Sequence, residues 1–144
     1  MNYFAALPMM SGFLLAAEAA GVPRQAVLEA AKVDPGLLGP EALKLQWPEA
    51  RNIIREGVRL TGDSQLGLHA ALLTPWPSFG VSGHFVLNQP TIEAQNLAVY
   101  NVLEPAWYNV VRNRLWHEPG TTRDIVRALA PPTPEVEQFI DYVL

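Results

Sequence analysis

The sequence contains no cysteine. Disulfides, thiolate nucleophiles and zinc–thiolate sites are therefore excluded, and the absence agrees with the reducing conditions of a cytoplasmic protein. Charge is also scarce. Asp, Glu, Lys and Arg make up 17% of the 144 residues, against an apolar share of 49%, whereas ordinary globular chains are about one-quarter charged. Such a composition folds, but it leaves little charge to cover the outside, so an exposed apolar patch is expected, and with it a partner. Basic clustering is missing too. The net charge is −4, and among ten scattered Lys and Arg only Arg112 and Arg114 stand two residues apart. The chain by itself lacks the basic face that contacts to a DNA backbone require.

Long uninterrupted apolar runs are missing as well. The opening MNYFAALPMMSGFLLAAEAAG is apolar, but Pro8, Ser11, Gly12 and Glu18 break it and the first cation is Arg24. It lacks the positive start of a signal peptide and the roughly 20 clean residues of a membrane span. A buried helix over 9–20 is the expectation. There is no phosphate loop, GxGxxG, HExxH or GxSxG, and no internal repeat. Ser82 lies between glycines but lacks the strand-to-helix elbow of a serine nucleophile. His69, His84 and His117 are too far apart for helical metal-ligand spacing. No acid, base and nucleophile set can be assembled, so an enzyme is not expected, nor is a metal or cofactor.

What is present is helix punctuation. Gly21 closes the first helix, and Pro23 opens a second that Asp34-Pro35-Gly36 stops. Trp47-Pro48-Glu49 begins a third, in which Ala50, Ile53, Ile54 and Val58 share one face and Arg51, Arg55, Glu56 and Arg59 the other. Gly62 ends it, and Asp63 is placed to cap a fourth over about 64–73. A short helix over Gly80–Leu87 and another over 92–103, capped by Thr91, follow. Beyond Glu104-Pro105 the residues turn to Val, Ile, Thr and aromatics. Pro119-Gly120 suits a type II turn, which suggests a hairpin of about 107–117 and 122–130; Thr121 and Asp124 could instead cap a helix. Thr133-Pro134-Glu135 starts a last helix with Val136, Phe139, Ile140 and Val143. It carries no stop signal before Leu144, as expected of a fragment or of a helix that a partner completes. The fold class expected is α+β: about five helices, a small antiparallel hairpin, then a C-terminal helix.

The segment between the fourth helix and the one opened by Thr91, TPWPSFGVSGHFVLNQPTIEAQ, combines prolines, glycines, aromatics and a histidine. Its prolines and glycines read as helix-junction chemistry. Trp76 and Phe79 suit either a core plug or a pocket wall, and His84 either a core histidine bonded to a carbonyl or a ligand contact in an apolar pocket. Glu93 reads as a favourable charge at a helix start. Trp107, Tyr108 and Trp116 fit packing on a sheet face.

These residues carry a resemblance. RLTGDSQLGLHAALLTPWPSFGVSGHFVLNQPTIEAQNLAVYNVL resembles the N-terminal effector-binding and dimerisation domain of AraC/XylS-type transcriptional regulators, in the branch with an arabinose-binding-like domain. The matching places are Thr61-Gly62-Asp63, Leu66-Gly67-Leu68, Phe79-Gly80-Val81, Gly83, Pro90-Thr91, Glu93-Ala94 and Tyr100, and AAGVPRQAVLEAAKVDPGLL is similar to the branch's opening helices. His84 departs from the pattern, where an aromatic such as tyrosine is usual, and so do Asn88-Gln89, where small serines are usual.

The resemblance implies one sensory and dimerisation domain over 1–144, cut short of the helix-turn-helix pair that reads DNA. It implies a small-molecule effector, a homodimer, DNA contact only through the absent C-terminal domain, and a bacterial, cytoplasmic setting without a membrane. The pocket is expected between the 74–88 segment and the hairpin face, with Pro75, Trp76, Phe79, His84, Tyr100, Trp107 and Trp116 as candidate contacts. The competing expectation is a stand-alone interaction module that docks through its apolar surface and binds no effector.

Overall fold

The computed structural model describes residues 2–144; the side chains at 102, 103, 105, 106, 115–117 and 122, those of Trp116 and His117 among them, lie outside the described residues. Helix α1 (Leu7–Ala19) sits at the centre, against α2 (Arg24–Ala31), α3 (Trp47–Thr61) and α4 (Leu66–Leu73). It buries Leu7, Met9, Met10, Phe13, Leu14, Ala16 and Ala17. A helix apolar on nearly every side can only be an interior one, so the opening run is a core element. It begins at Leu7 rather than residue 9, because Pro8 is tolerated in a first turn whose N–H groups have no intrahelical partner.

Helix α3 buries Trp47, Ala50, Ile53 and Ile54, as the spacing requires, while Val58 is half-buried. Gly62 closes it with φ +69°. Asp63 does not cap α4, which starts later than expected. Its Oδ1 accepts the N–H of Gln65 at 2.9 Å, a side-chain-closed turn ahead of the helix, and Oδ2 pairs with His69 Nδ1 at 2.6 Å. Pro23 precedes α2 as its cap instead of being its first residue. Asp34 Oδ1 accepts the N–H of Gly36 at 2.8 Å and starts the 3-10 turn Pro35–Leu38.

Two features were invisible in the pattern. The first is a short antiparallel pair, β1 (Phe4–Ala6) with β2 (Lys44–Gln46), in register Phe4↔Gln46 to Ala6↔Lys44. The second is that β1 also meets the base of the later hairpin: Asn109 Oδ1 accepts the N–H of Phe4 at 2.7 Å, and Tyr3 donates its hydroxyl to the Leu129 carbonyl at 2.7 Å. Three-residue strands have too few positions to show a period, and only tertiary pairing holds them.

Helix α5 (Gly80–Leu87) is followed by α6 (Ile92–Ala98), with Thr91 Oγ1 accepting the N–H of Ala94 at 3.1 Å as an N-cap. A wide turn over Val99–Leu103 and the single turn α7 (Glu104–Trp107) extend this helical run past 103. Strands β3 (Val111–Glu118) and β4 (Thr121–Ala128) form the hairpin around Pro119-Gly120, where Gly120 has φ +77°. The hairpin is thus shorter at its open end than expected. Trp107 and Tyr108 are not strand residues, because the helical run carries on through Glu104-Pro105 to Trp107. The segment that could have been a helix capped by Thr121 is β4. Arg112 and Arg114 share the exposed face, with Arg112 directly opposite Arg127; like charges placed so cost stability.

Helix α8 (Pro134–Val143) closes the core against α3 and α4. Phe139 is fully buried and lies edge-on to Trp47 at 5.7 Å and to Tyr108 at 5.4 Å. Tyr142, one turn on, stacks with Phe13 at 5.4 Å. Glu135 is buried beside Arg55, with Nε to Oε1 at 2.5 Å. Burial pushes its carboxyl up, but the Thr133 hydroxyl and the Arg55 guanidinium outweigh that and hold it below its ordinary value of 4.5.

Phe139→Ala removes the ring shared by three elements and is expected to cost about 3–5 kcal/mol in urea unfolding. Glu135→Gln is expected to cost about 1–2 kcal/mol at neutral pH. A lowered folded-state pKa gives stability that is present above the unfolded value and is lost as pH falls through the folded one. The difference in melting temperature between the wild type and Glu135→Gln therefore closes as pH drops below 4.5; a gap that stays constant to acid pH would show that the ion pair contributes nothing.

Candidate functional site

The chain leaves α4 through Thr74 and Pro75 into a 3-10 turn, Trp76–Phe79. Pro75 accepts both the N–H and the hydroxyl of Ser78, at 3.0 and 2.6 Å. Helix α5 then folds back onto this turn. A Cβ built on Gly83 would stand 2.1 Å from the Trp76 carbonyl oxygen, so only glycine allows that approach. The result is that two aromatic side chains are held on a short, braced turn. Phe79 stacks on Trp107 with ring centres 4.0 Å apart and planes at 25°, and Trp76 leans on Phe79 at 5.9 Å.

Between this turn and α8 lies a cleft of about 250 Å³. Trp76 and Phe79 form one wall; Tyr142, Val143 and Leu144 form the other. Met9 of α1 and Ala71 of α4 contribute to the lining, and Val99, Trp107 and Tyr108 complete it from the helical run that precedes the hairpin. The polar side chains are few. Thr74 donates its hydroxyl to the Ala70 carbonyl at 2.7 Å, and Tyr142 interacts with that same hydroxyl. Burial pushes the Tyr142 phenol up to about 12, and it raises that of Tyr108 as well, helped by the nearby Glu104 carboxylate.

Behind the cleft, under the hairpin, is a polar layer. Buried Asn113 donates Nδ2 to the Tyr108 hydroxyl at 3.3 Å, and its backbone N–H goes to Glu104 Oε1 at 2.7 Å. Burial raises the Glu104 carboxyl, more than the Asn113 N–H and Arg112 lower it. Tyr100 donates its hydroxyl to Asp124 Oδ2 at 2.5 Å, and its own ionisation is raised by burial and by that carboxylate. These contacts anchor the hairpin to the helical run.

The structure thus brings three of the seven candidate contacts, Trp76, Phe79 and Trp107, onto one cleft. Pro75 braces the turn without lining the cleft. Tyr100 is engaged with Asp124. His84 is exposed on α5, neither a core histidine nor a cleft residue, and the Trp116 side chain lies outside the described residues. Sequence reasoning missed Met9, Thr74, Val99 and Tyr142. Tyr142 was within reach, because it stands one helical turn after Phe139 on the same buried face.

A second, more open groove of about 450 Å³ is walled by Ala16, Ala19, Ala20, Leu72 and Leu73, with the Asp63–His69 pair at its rim. Among the described residues, no group of three or more metal-ligating side chains exists, and no helix is long and apolar enough to cross a membrane.

Comparison with known families matches the chain to a regulatory family. The model of the N-terminal arabinose-binding domain of AraC transcription regulators matches residues 21–125. That span runs from α2 into β4 and includes the braced turn and Trp107. No curated protein matches the chain.

Gly83→Ala is expected to cost about 1–3 kcal/mol, because either α5 or the Trp76–Phe79 turn must move to relieve the clash. Near-ultraviolet circular dichroism reads the packing of Trp76 and Phe79 directly, and its aromatic signal should change in this variant. An unchanged spectrum and unchanged stability would mean that the turn is not braced as described.

Proposed function

We propose that this chain, which belongs to the family of N-terminal arabinose-binding domains of AraC transcription regulators, is the effector-sensing and dimerisation part of a bacterial, cytoplasmic regulator. The family is one of regulatory ligand-binding domains and not of enzymes. The effector site is the cleft between the Trp76–Phe79 turn and α8. The observation that carries this is its construction: the two walls belong to different parts of the chain, so a ligand between them contacts both at once.

The mechanism follows from that geometry. A ligand that contacts the aromatic turn and α8 together stabilises the arrangement in which they lie at bound spacing. It shifts the equilibrium only by its difference in affinity for the two arrangements. The change would reach an attached DNA-binding domain as an altered position of α8 against the body. The negative net charge fits a sensor whose phosphate contacts are made elsewhere. The family description names arabinose; what this chain's own cleft is suited to take is a separate matter.

Dimerisation is supported by exposed apolar side chains, among them Leu72, Val81, Phe85 and Ile92. They also support the second reading, an interaction module without effector. A thermal-shift screen of metabolites separates the two. An effector at about 100 times its Kd adds about 2.7 kcal/mol, a rise of several degrees in Tm. Trp107→Ala should abolish that rise. If no metabolite moves the Tm of the folded protein, the sensor reading fails and the module reading stands.

A further inference from the structure

We infer that the cleft takes an uncharged planar aromatic compound of one or two fused rings, and that it does not take a sugar. The inference rests on the reading of this cleft as the effector site and goes further by naming the ligand's chemistry.

Three observations carry it. The first is what lines the cleft. Among the described residues, no Asp, Glu, Asn, Gln, Lys, Arg or His side chain does so, and the walls are dominated by Trp76, Phe79, Trp107, Tyr108 and Tyr142. A pentose has a hydroxyl on nearly every carbon and needs a partner for each one that it buries. The three hydroxyls available are partly spent, since Thr74 donates to the Ala70 carbonyl, Tyr142 interacts with Thr74, and Tyr108 accepts from Asn113, so they are too few to pair every hydroxyl of a buried pentose. Each sugar hydroxyl left unpaired weakens binding by about tenfold or more.

The second observation is size. A dry apolar cavity of about 150 Å³ holds one benzene ring. The cleft, at about 250 Å³ and open on one side, has room within its walls for one ring or two fused ones. The third is ring geometry. The Phe79 and Trp107 rings are stacked at 4.0 Å and nearly parallel, with Trp76 tilted beside them. A further flat ring can extend such a stack at offset or edge-on spacing. A cation, in contrast, needs several ring faces turned toward it, and here Phe79 and Trp107 each spend a face on the other. Burial keeps the phenols of Tyr142 and Tyr108 protonated near neutrality, so they offer no negative charge to a cation.

The test titrates indole, L-arabinose and tetramethylammonium separately into the purified protein by isothermal calorimetry. Indole should bind at least about tenfold more tightly than either of the others. Phe79→Leu and Trp107→Phe should each weaken indole by about three- to tenfold. His84→Ala, exposed and off the cleft, should leave it unchanged. Circular dichroism shows which variants fold; if Phe79→Leu does not, the milder Trp107→Phe decides. Tighter binding of arabinose or of tetramethylammonium overturns the ligand class. If that binding is itself weakened by Trp107→Phe, the effector-site reading survives the loss. Indole binding that ignores both ring variants overturns the class and the site together. Absence of binding by all three probes overturns the class, and the metabolite screen then decides the site.

Discussion

Phe139 is the side chain through which the separate parts of this chain meet. It is fully buried, edge-on to Trp47 at the start of α3 and to Tyr108 at the foot of the hairpin, and on the same helix face as Tyr142, which stacks on Phe13 of α1. Edge-to-face and offset contacts are directional, so this cluster sets angles between elements as well as burying area. The helices could pack on apolar area alone, but the position of the hairpin relative to them depends on Tyr108. It is held on one side by Phe139 and on the other by Asn113 and the bridge to Ala5.

The cleft is a by-product of the same cluster. Tyr142 and Tyr108 each turn one part of the ring toward Phe139 and also line the cleft. The far wall lies at the edge of that core, with Phe79 and Trp107 packed against it. The Trp76–Phe79 turn is stiffened by its prolines and by the close approach at Gly83, and it meets the rest through Phe79 on Trp107. One wall is thus seated on the core through Tyr142, and the other is shaped by local backbone constraint and by the Phe79–Trp107 stack. A ligand seated between them would touch both at once, as the proposed two-state response requires.

Much of this is legible in the sequence alone. The apolar face of α3, the cap at Thr91, the stop at Gly62, the turn at Pro119-Gly120 and the α+β class all follow from periodicity and turn chemistry, which act over a few residues. The places where sequence reasoning missed were those where tertiary contact overrides local preference. Asp63 could cap a helix but closes a turn and pairs with His69 instead. Trp107 stands two residues after Pro105 and suits the start of a strand, yet the helical run continues through it. The pair β1–β2 has no period to read.

The sequence by itself determined the helices and most of their buried faces, the lack of cysteine and of a phosphate-loop motif, and the motifs by which the chain resembles its family, because each of these depends on residues close together in the chain. Only the tertiary structure decided which aromatics line the cleft. Trp76, Phe79, Trp107 and Tyr142 are spread over most of the second half of the sequence, and nothing local distinguishes them from Trp47 or Phe13, which are core. His84, in the most suggestive stretch, went to solvent, because α5 is anchored on the turn through Gly83 and buries Val86 rather than His84. Whether an aromatic ring fills a core or lines a cleft depends on what packs against its other face, and that is a property of the assembled fold.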